Sequence, residues 1–347
     1  MTAPDPRTVS PSRRDAILRL AEFWQPGAVA VLSTHINADG DGCGSETALA
    51  RLLAQRGMTV RIVNPTPWPA LFRFLLGDDV QDATAQGAEG LLGSDLLIVL
   101  DINDVTRLGT LADEVRGLGV PHLVIDHHVP GREAAGDVAL ADTTACATGE
   151  LIYDVAHTLD LEITPDIARS IYTAILTDTG GFRFSNTSPR AHVIAADLMT
   201  RGVDPEEMYR RVYASSPVGR VRLLAEVLQS LGVDEPLGLS WLSMRAGALS
   251  EYGVRQEDLD GIVEHARSIA GTKLAVFFRD LGHGKVKVSF RSTGAFDANQ
   301  FARRYGGGGH ARASGALVAG TMSEVRDRVL ADARGELGSL GKGSGTP

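Results

Sequence analysis

The stretch HLVIDHH (residues 122–128) is an apolar run that ends in one acid and two adjacent histidines. Burying ionisable groups costs free energy unless something pairs with them, so a core strand gains nothing by ending in this way. A strand followed by an ordinary solvated loop would give the same pattern. The stretch therefore leaves two alternatives, a strand whose tip carries a binding site or a plain polar loop, and the rest of the sequence has to decide between them.

Three further apolar runs precede this stretch, and helix-like segments separate all four. The runs are AVAVLSTH (28–35), TVRIVNP (59–65) and DLLIVLDIN (95–103). Short strands that alternate with helices predict an α/β fold, here an N-terminal doubly wound, mostly parallel sheet. A helix is also predicted at 12–24, with Ser12 as its N-cap, and another at 164–182, with Pro165 in its first turn.

Beyond Pro236 the sequence pattern changes, and it predicts a smaller C-terminal α/β domain. Three segments have the composition of strands, and DANQFARRY (297–305) is typical of a short helix capped by Asp297. The strand segments are 237–244, 272–280 and 285–290. The predicted organisation is an N-terminal domain at 14–190, a helical linker at 191–236, a C-terminal domain at 237–336 and a flexible tail at 337–347.

The composition limits the possible partners. A formal net charge of −9 argues against a protein that coats long nucleic acids. The segment from Lys273 to Arg312 nevertheless has eight Lys and Arg against two acids, which suits a small anionic ligand. No apolar run reaches the ~20 residues that cross a bilayer, and the N-terminus lacks the apolar core of a signal peptide. With only two cysteines, the chain is expected to be cytoplasmic and without a membrane anchor.

Ionisable residues follow three of the four apolar runs. They are His35, Asp39, Asp41, Asp101, Asp126, His127 and His128. The carboxyl ends of parallel strands share one edge of a sheet, so these residues should converge there, and Asp178 at a helix end could join them. Each acid taken alone could be a turn or N-cap residue. Together, carboxylates and imidazoles suit Mn²⁺ or Mg²⁺, and two ions about 3.5–4 Å apart would relieve the repulsion between carboxylates and promote phosphoryl transfer.

Five motifs resemble those of the DHH phosphoesterase superfamily. The motifs are HINADGDG (35–42), LDIND (100–104), DHH (126–128), TDTGGF (177–182) and, in the C-terminal half, GGGGH (306–310). The first four are similar to the superfamily's catalytic motifs, and the last is similar to the signature of its DHH-associated C-terminal domain. The resemblance extends from about residue 14 to 335. By length, the chain is most similar to the stand-alone NrnA-type members, which degrade very short oligoribonucleotides and dephosphorylate 3′-phosphoadenosine 5′-phosphate.

The resemblance implies two Mn²⁺ ions per chain, with Mg²⁺ as the alternative, and a role for each motif residue. His35 and Asp39 would hold one ion, while Asp41, His127 and Asp178 would hold the other. Asp101 would bridge both ions. Asp126 would orient an imidazole, and His128 would face the substrate phosphate or assist proton transfer, so the predicted catalytic residues are Asp101, Asp126 and His128.

The glycine-rich loop RRYGGGGHARASG (303–315) predicts phosphate binding. Successive backbone N–H groups in such a loop can form an anion-binding concavity, and charged side chains nearby would strengthen it. A flexible linker would have a similar composition. The predicted substrate-binding residues are Arg291, Gly307, Gly308, Gly309 and His310.

The function expected from these features is Mn²⁺-dependent hydrolysis of very short oligoribonucleotides, such as the dinucleotide pApA, and of 3′-phosphoadenosine 5′-phosphate. Cyclic di-AMP is an alternative substrate, and a pyrophosphatase or exopolyphosphatase has similar metal motifs. A nucleotide-binding sensor without turnover is the alternative from another class. The resemblance also implies a homodimer. Arg107 is left open between a substrate contact and a solvated surface residue.

Overall fold

The computed structural model describes residues 8–259, 261–309 and 311–342, and the chain divides into two compact units, 1–215 and 216–347. The first unit contains a six-stranded sheet with the order β3-β2-β1-β4-β5-β6, in which every neighbouring pair is parallel. The strands are β1 (Val29–Ser33), β2 (Thr59–Ile62), β3 (Gln81–Asp82), β4 (Leu96–Leu100), β5 (His122–Asp126) and β6 (Val138–Ala141). The predicted parallel α/β sheet is confirmed, and it is parallel throughout.

Alternate residues of the central strands enter two separate cores. In β4, Ile98 lies in the larger core, while Leu97 and Val99 lie in the smaller one on the opposite face. The sheet is therefore covered on both faces, which explains why its strands are continuous apolar runs. The helices of this unit are α1 (Pro11–Ala21), α2 (Gly40–Gln55), α3 (Ala112–Gly117), α4 (Thr148–Thr158), α5 (Pro165–Asp178), α6 (Pro189–Thr200) and α7 (Pro205–Tyr213).

Two details of the helices matter for the site. The N-cap of α1 is Ser10, whose side chain accepts a hydrogen bond from the backbone N of Arg13, so the prediction of Ser12 is wrong. Pro11 occupies the first helical position, which moves the cap to the residue before it. In α2, a Cβ at Gly44 would lie 2.4 Å from the backbone O of Ser170 in α5, so only glycine lets these two helices pack so closely.

The second unit is built on a mixed six-stranded sheet with the order β11-β12-β10-β9-β8-β7. The pair β8–β9 is parallel and the other pairs are antiparallel. The strands are β7 (Gly232–Asp234), β8 (Leu239–Met244), β9 (Leu274–Asp280), β10 (Lys285–Ser292), β11 (Gly308–Gly309) and β12 (Ala313–Ala319). The helices are α8 (Val218–Gln229), α9 (Ala248–Tyr252), α10 (Ile262–Arg267), α11 (Ala298–Arg303) and α12 (Met322–Lys342). A smaller C-terminal α/β unit was the prediction, and it is confirmed.

The segment predicted as a linker, 191–236, includes the boundary between the two units. Helices α6 and α7 bury Leu198 and Met208 in the first unit, and α8 buries Leu223 and Val227 in the second. The segment predicted as a flexible tail is helical up to Lys342, and Leu337 is buried on the same face of α12 as other apolar side chains. The remaining tail residues, 343–347, lie outside the described residues. No described helix is both long and apolar enough to cross a membrane.

Candidate metal centre

Five of the predicted site residues lie where three neighbouring strands end. His35 follows β1, Asp101 directly follows β4, and Asp126 ends β5 with His127 and His128 after it. The order of the strands reverses between β1 and β4, and open parallel sheets form ligand sites at such points, beyond the carboxyl ends of the strands. The topology therefore brings together residues that are far apart in the sequence.

Helices supply the other three carboxylates. Asp39 is the N-cap of α2 and accepts hydrogen bonds from the backbone N of Asp41 and of Gly42. Asp41 lies in the first turn of the same helix, and its side chain is 1% exposed. Asp178 is the last residue of α5, the helix that packs against α2.

The first group that could hold a cation consists of His35, Asp39 and Asp101. His35 Nε2 lies 3.3 Å from Asp101 Oδ2 and 3.8 Å from Asp39 Oδ2. The Nδ1–H of the same ring donates to the backbone O of Ile36 at 3.0 Å. This hydrogen bond leaves Nε2 as the ring nitrogen that faces the two carboxylates, the arrangement usual for metal-binding histidines.

The second group consists of Asp41, His127 and Asp178. His127 Nε2 lies 3.6 Å from Asp41 Oδ2, 3.6 Å from Asp101 Oδ1 and 3.7 Å from Asp178 Oδ2. His127 Nδ1–H donates to the backbone O of Ala145 at 3.2 Å. His127 Nε2 is buried and has no hydrogen-bond partner among the described residues. A buried ring nitrogen that faces three carboxylates at distances too long for hydrogen bonds fits a cation site.

Asp101 is the residue that the two sides of the centre share. Its carboxylate contacts His35 through Oδ2 and lies beside His127 and His128 through Oδ1. The hydroxyl of Thr148 donates to Oδ1 at 3.0 Å. Asp101 has a φ of +62°, a left-handed conformation that Asp tolerates better than most other residues. The backbone is thus held in an uncommon conformation at the residue predicted to bridge two ions.

The carboxylates lie so close together that ionising all of them costs electrostatic free energy. Burial raises the pKa of Asp41 well above its usual range, and repulsion from Asp101 and Asp178 adds to it. Burial also raises the pKa of Asp178 to about 6. Burial alone would lower the pKa of His35, but the nearby carboxylates of Asp101 and Asp39 raise it to about 10. Without cations, these carboxylates and His35 would bind protons to relieve the repulsion between negative charges. Divalent metal ions would relieve the same repulsion, so the donor set fits them.

Asp126 and His128 form a separate hydrogen-bonded pair beside the acids. Asp126 is fully buried and accepts hydrogen bonds from His128 Nδ1 at 2.8 Å and from the side-chain amide of Asn103. The hydrogen bond from His128 to Asp126 raises the pKa of His128. The side chain of His128 is 38% exposed, whereas that of His127 is 11% exposed. Asp126 thus fixes the ring of His128, and that ring is open to solvent. The catalytic roles of the two residues stay predictions.

Three residues that support the centre were not predicted. Thr148 contacts Asp101, Asn103 contacts Asp126, and the amide of Asn186 donates to Asp178 Oδ2 at 3.0 Å. Backbone N–H groups of Thr148 and Gly149, at the start of α4, also donate to Asp41 at 2.7 and 3.0 Å. Amides and hydroxyls are common in turns and helix starts, so the only sequence signal for Asn103 was its place within LDIND. Arg107 is half-buried, and its part in substrate binding stays a prediction.

Asn186→Ala is expected to weaken Mn²⁺ binding by about 10- to 100-fold, the usual effect of removing a residue that orients a metal ligand. Without the amide, Asp178 loses the hydrogen bond that fixes its carboxylate, and the backbone O of Cys146 also loses a donor. Titration of Mn²⁺ followed by calorimetry would measure the change. Asn299→Ala, in the second unit, is the matched control. Equal affinity for all three proteins would show that Asn186 has no part in metal binding.

The glycine-rich loop of the second unit has a clear structural role. Gly308 and Gly309 form β11, which pairs with Gly315 and Ser314 of β12. A Cβ at Gly307 would lie 2.1 Å from the backbone O of Gly315, so the two chain segments approach as closely as backbone permits. Phosphate binding by Gly307, Gly308 and Gly309 stays a prediction. His310 lies outside the described residues.

Arg291 lies on β10, on the face of the sheet away from Val288 and Phe290 of the unit's core. It is half-buried, donates through Nη1 to the backbone O of Phe290 at 3.1 Å, and lies with Nε 3.4 Å from Glu264 Oε1. Its predicted role in substrate binding is likewise untested by this geometry.

Both units match known domains. Residues 29–175 match the DHH family, N-terminal domain, and residues 240–338 match the DHHA1 domain. The chain is 33% identical over 343 residues to a Thermus thermophilus protein named bifunctional oligoribonuclease and PAP phosphatase NrnA, and the match covers 98% of each chain. The first unit's motif residues fall within or just beyond the matched DHH segment.

Solved structures agree with the sequence matches. An exopolyphosphatase-related protein from Bacteroides fragilis has a TM-score of 0.86 at 25% identity, over 94% of this chain and 97% of that one. RecJ from Thermus thermophilus in complex with Mn²⁺ has a TM-score of 0.55 at 16% identity, over 96% of this chain and 56% of RecJ, and shares the fold. The two matched domains and the full-length relative together show that this chain belongs to the DHH family and carries a DHHA1 domain after its DHH domain.

Proposed function

We propose that the chain is a metal-dependent phosphoesterase that hydrolyses very short oligoribonucleotides to mononucleotides and also dephosphorylates 3′-phosphoadenosine 5′-phosphate. The observation that carries the proposal is the centre itself, in which His35 and His127 each direct a free Nε2 toward the shared carboxylate of Asp101. The name of the Thermus relative, with which the chain aligns over nearly its full length, supports the same activities.

The ligand set fits two divalent cations, which we propose to be Mn²⁺. His35, Asp39 and Asp101 would hold one, and Asp41, Asp101, His127 and Asp178 would hold the other. Bound there, two cations would supply an activated water and would neutralise the negative charge that develops on the phosphoryl oxygens. The protein itself fixes the ligands, because backbone carbonyl groups lock both imidazole rings and backbone N–H groups hold Asp41.

His128 is the proposed proton carrier. Its Nδ1–H is bound to the buried carboxylate of Asp126, so the ring is oriented and its protonated form is stabilised. The exposed ring can then donate a proton from Nε2 to the oxygen that leaves phosphorus. Asn103 in turn holds Asp126, which keeps this pair in place.

The test is product formation from four substrates, with Mn²⁺ and with chelator. They are pApA, 3′-phosphoadenosine 5′-phosphate, cyclic di-AMP and an RNA of roughly 24 nucleotides. We expect fast Mn²⁺-dependent turnover of the first two and much slower turnover of the long RNA, because the acidic chain has little attraction for a long polyanion. Size-exclusion chromatography with light scattering would test the predicted homodimer on the same sample.

Other outcomes would point to other functions. Preferential turnover of cyclic di-AMP would make the chain a cyclic-dinucleotide phosphodiesterase. Binding of metal with no turnover of any nucleotide would contradict the nuclease proposal and direct attention to polyphosphate, in view of the name of the Bacteroides structure. Nucleotide binding without metal binding or turnover would indicate a sensor.

A further inference from the structure

A buried threonine, Thr34, connects the ends of the two strands between which the strand order reverses. Thr34 is fully buried and directly precedes His35. Its hydroxyl donates to the backbone O of Leu100 at 2.8 Å, and Leu100, the last residue of β4, directly precedes Asp101. One side chain therefore joins the end of β1 to the end of β4, beside two of the three residues of the first cation group.

Asn64, which lies just beyond β2, holds the backbone of Thr34. The backbone N of Thr34 donates to Asn64 Oδ1 at 2.9 Å, and Asn64 Nδ2 donates to Glu46 Oε2 at 2.9 Å. Because a backbone N–H can only donate, the oxygen of the amide has to face Thr34 and its NH₂ group has to face Glu46. Asn64 and Glu46 are both buried, so the amide has one fixed orientation. We call Thr34, Asn64 and Glu46 the amide network.

Helix α2, which has Asp39 as its N-cap, packs directly against the amide network. Glu46 belongs to this helix, and a Cβ at Gly42 would lie 2.8 Å from Thr34 Oγ1. Burial raises the pKa of Glu46 to about 8, so at neutral pH its carboxyl group is mostly uncharged and adds little to the negative charge of the centre. The network therefore joins all three elements that carry the first cation group, which are β1, β4 and α2.

The second cation group is supported by other parts of the chain. His127 donates to the backbone O of Ala145, and Asp178 accepts from the amide of Asn186. Neither contact involves the amide network. A disturbance of the network should therefore reach the two groups unequally.

The network is a costly way to fill buried space. Glu46 Oε1 is buried and has no hydrogen-bond partner among the described residues, and an unpaired buried polar atom costs free energy. Apolar side chains of similar volume often stabilise a core as well or better. This cost points to a role in orientation, in which the network fixes the strand ends that carry His35 and Asp101.

We propose that Asn64 is a positioning residue for the first cation group and that it acts through Thr34 on His35 and Asp101. The inference rests on the two cation sites of the proposed function. Without the amide, the backbone of Thr34 loses the hydrogen bond that fixes the end of β1, and His35 follows directly. The cation held by His35 and Asp39 is then bound more weakly, while the ligands of the other cation keep their own supports.

The test is titration of the full chain with Mn²⁺, followed by calorimetry, for the wild type, Asn64→Ala and Thr34→Val. Thr34→Val keeps the shape of the side chain and removes only the hydroxyl that donates to Leu100, and circular dichroism checks that both variants fold. We expect each variant to weaken the binding of one Mn²⁺ by about 10- to 100-fold, the usual effect of losing a residue that orients a metal ligand, and to leave the other unchanged.

Electron paramagnetic resonance adds a signature that a loss of stability alone would not give. At a Mn²⁺ concentration that fills both sites of the wild type, the spin-coupled pair should be replaced in the variants by a single uncoupled ion. Thr173→Val is the matched control, because Thr173 of α5 is equally buried and its hydroxyl donates to the backbone O of Arg169 at 2.9 Å, outside the network. This control should bind both ions as the wild type does.

Unchanged affinity for both ions in the folded variants, or equal weakening of both, would overturn the positioning role of Asn64. Metal binding is measured without substrate, so a wild type that binds two Mn²⁺ but hydrolyses no nucleotide would count against the proposed function alone. A wild type that binds fewer than two Mn²⁺ would overturn both proposals.

Discussion

Replacing Asp101 by Asn is expected to lower kcat by about a thousandfold or more while leaving the chain folded. Within the described part of the chain, Asp101 is the one carboxylate that approaches both His35 Nε2, at 3.3 Å, and His127 Nε2, at 3.6 Å. An amide cannot supply the charge that a ligand shared by two cations needs. Loss of about 4 kcal/mol of charge stabilisation in the transition state corresponds to roughly three powers of ten in rate.

Asn is preferable to Ala for this experiment because the backbone at Asp101 is left-handed. Asn keeps the shape of the side chain and tolerates a φ of +62°, whereas Ala would add backbone strain. Activity on pApA, Mn²⁺ affinity and thermal unfolding with chelator would all be measured. Without metal the variant should be at least as stable as the wild type, because it removes one of several crowded carboxylates around Asp41. Asp78→Asn, at an exposed aspartate, is the control.

Retention of more than a tenth of the wild-type activity by Asp101→Asn would show that Asp101 is not the shared ligand. A loss of activity with unchanged Mn²⁺ affinity would assign Asp101 to the substrate side of the site instead. A loss of both, with Asp78→Asn unaffected, is the expected result.

The parallel sheet could be predicted because its central strands are buried on both faces. Such strands are uninterrupted runs of Val, Ile and Leu, as in β4, and they need no period-two pattern to be identified. The edge strands could not be predicted in the same way. β3 has only two residues, both exposed, and β6 exposes alternate positions, so neither has a distinctive composition.

The site could be predicted as far as it follows from topology. Residues at the ends of parallel strands meet at one edge, which placed His35, Asp101 and His127 together without any knowledge of their side-chain geometry. The supporting residues could not be found in this way. Asn103 is 23 residues from its partner Asp126, and Thr148 is 47 residues from Asp101, so only the folded chain shows that they are in contact.

The limits of the linker and of the tail could not be derived from composition for a related reason. Amphipathic helices between two domains have the same sequence pattern whether they connect the domains or pack into one of them. Burial of Met208 in the first unit and of Leu223 in the second is a tertiary outcome. The segment from 338 has the composition of a flexible tail, but Leu337 continues the apolar face of α12.

A second large effect is expected for stability, at a cluster of charges that joins α1 to α4 and α6. Arg13 is 7% exposed and donates to Asp142 at 2.6 Å, to Glu150 at 2.7 Å and to Asp154 at 2.8 Å. Arg190 also contacts Glu150 and Asp154, at 2.7 and 2.5 Å. Two buried carboxylates are therefore neutralised by two guanidinium groups. This cluster could not be predicted, because its four residues lie on three helices that are far apart in the sequence.

Arg13→Met is expected to destabilise the first unit by about 3–5 kcal/mol, because Arg190 alone would then face two buried carboxylates and one negative charge would stay uncompensated. Methionine retains much of the apolar bulk of the arginine stem, so lost packing contributes little. For a unit of this size the midpoint of thermal unfolding should fall by about 6–20 °C. Arg14→Met is the matched control, because Arg14 is the next residue of the same helix and is exposed. It should leave the midpoint within a degree or two, as is usual for surface positions, at most about 0.5 kcal/mol.

Adding Glu150→Gln to Arg13→Met tests whether charge is the cause. Gln removes one of the two buried negative charges but keeps a side-chain oxygen that can accept from the backbone N of Cys146, as Glu150 does at 3.0 Å. The double variant should therefore recover part of the lost stability, although it carries one more substitution. If it is less stable than Arg13→Met alone, the contribution of Arg13 comes from packing and hydrogen-bond geometry rather than from neutralising Glu150. Equal midpoints of thermal unfolding for Arg13→Met and Arg14→Met would show that the cluster does not stabilise the packing of α1 in the first unit.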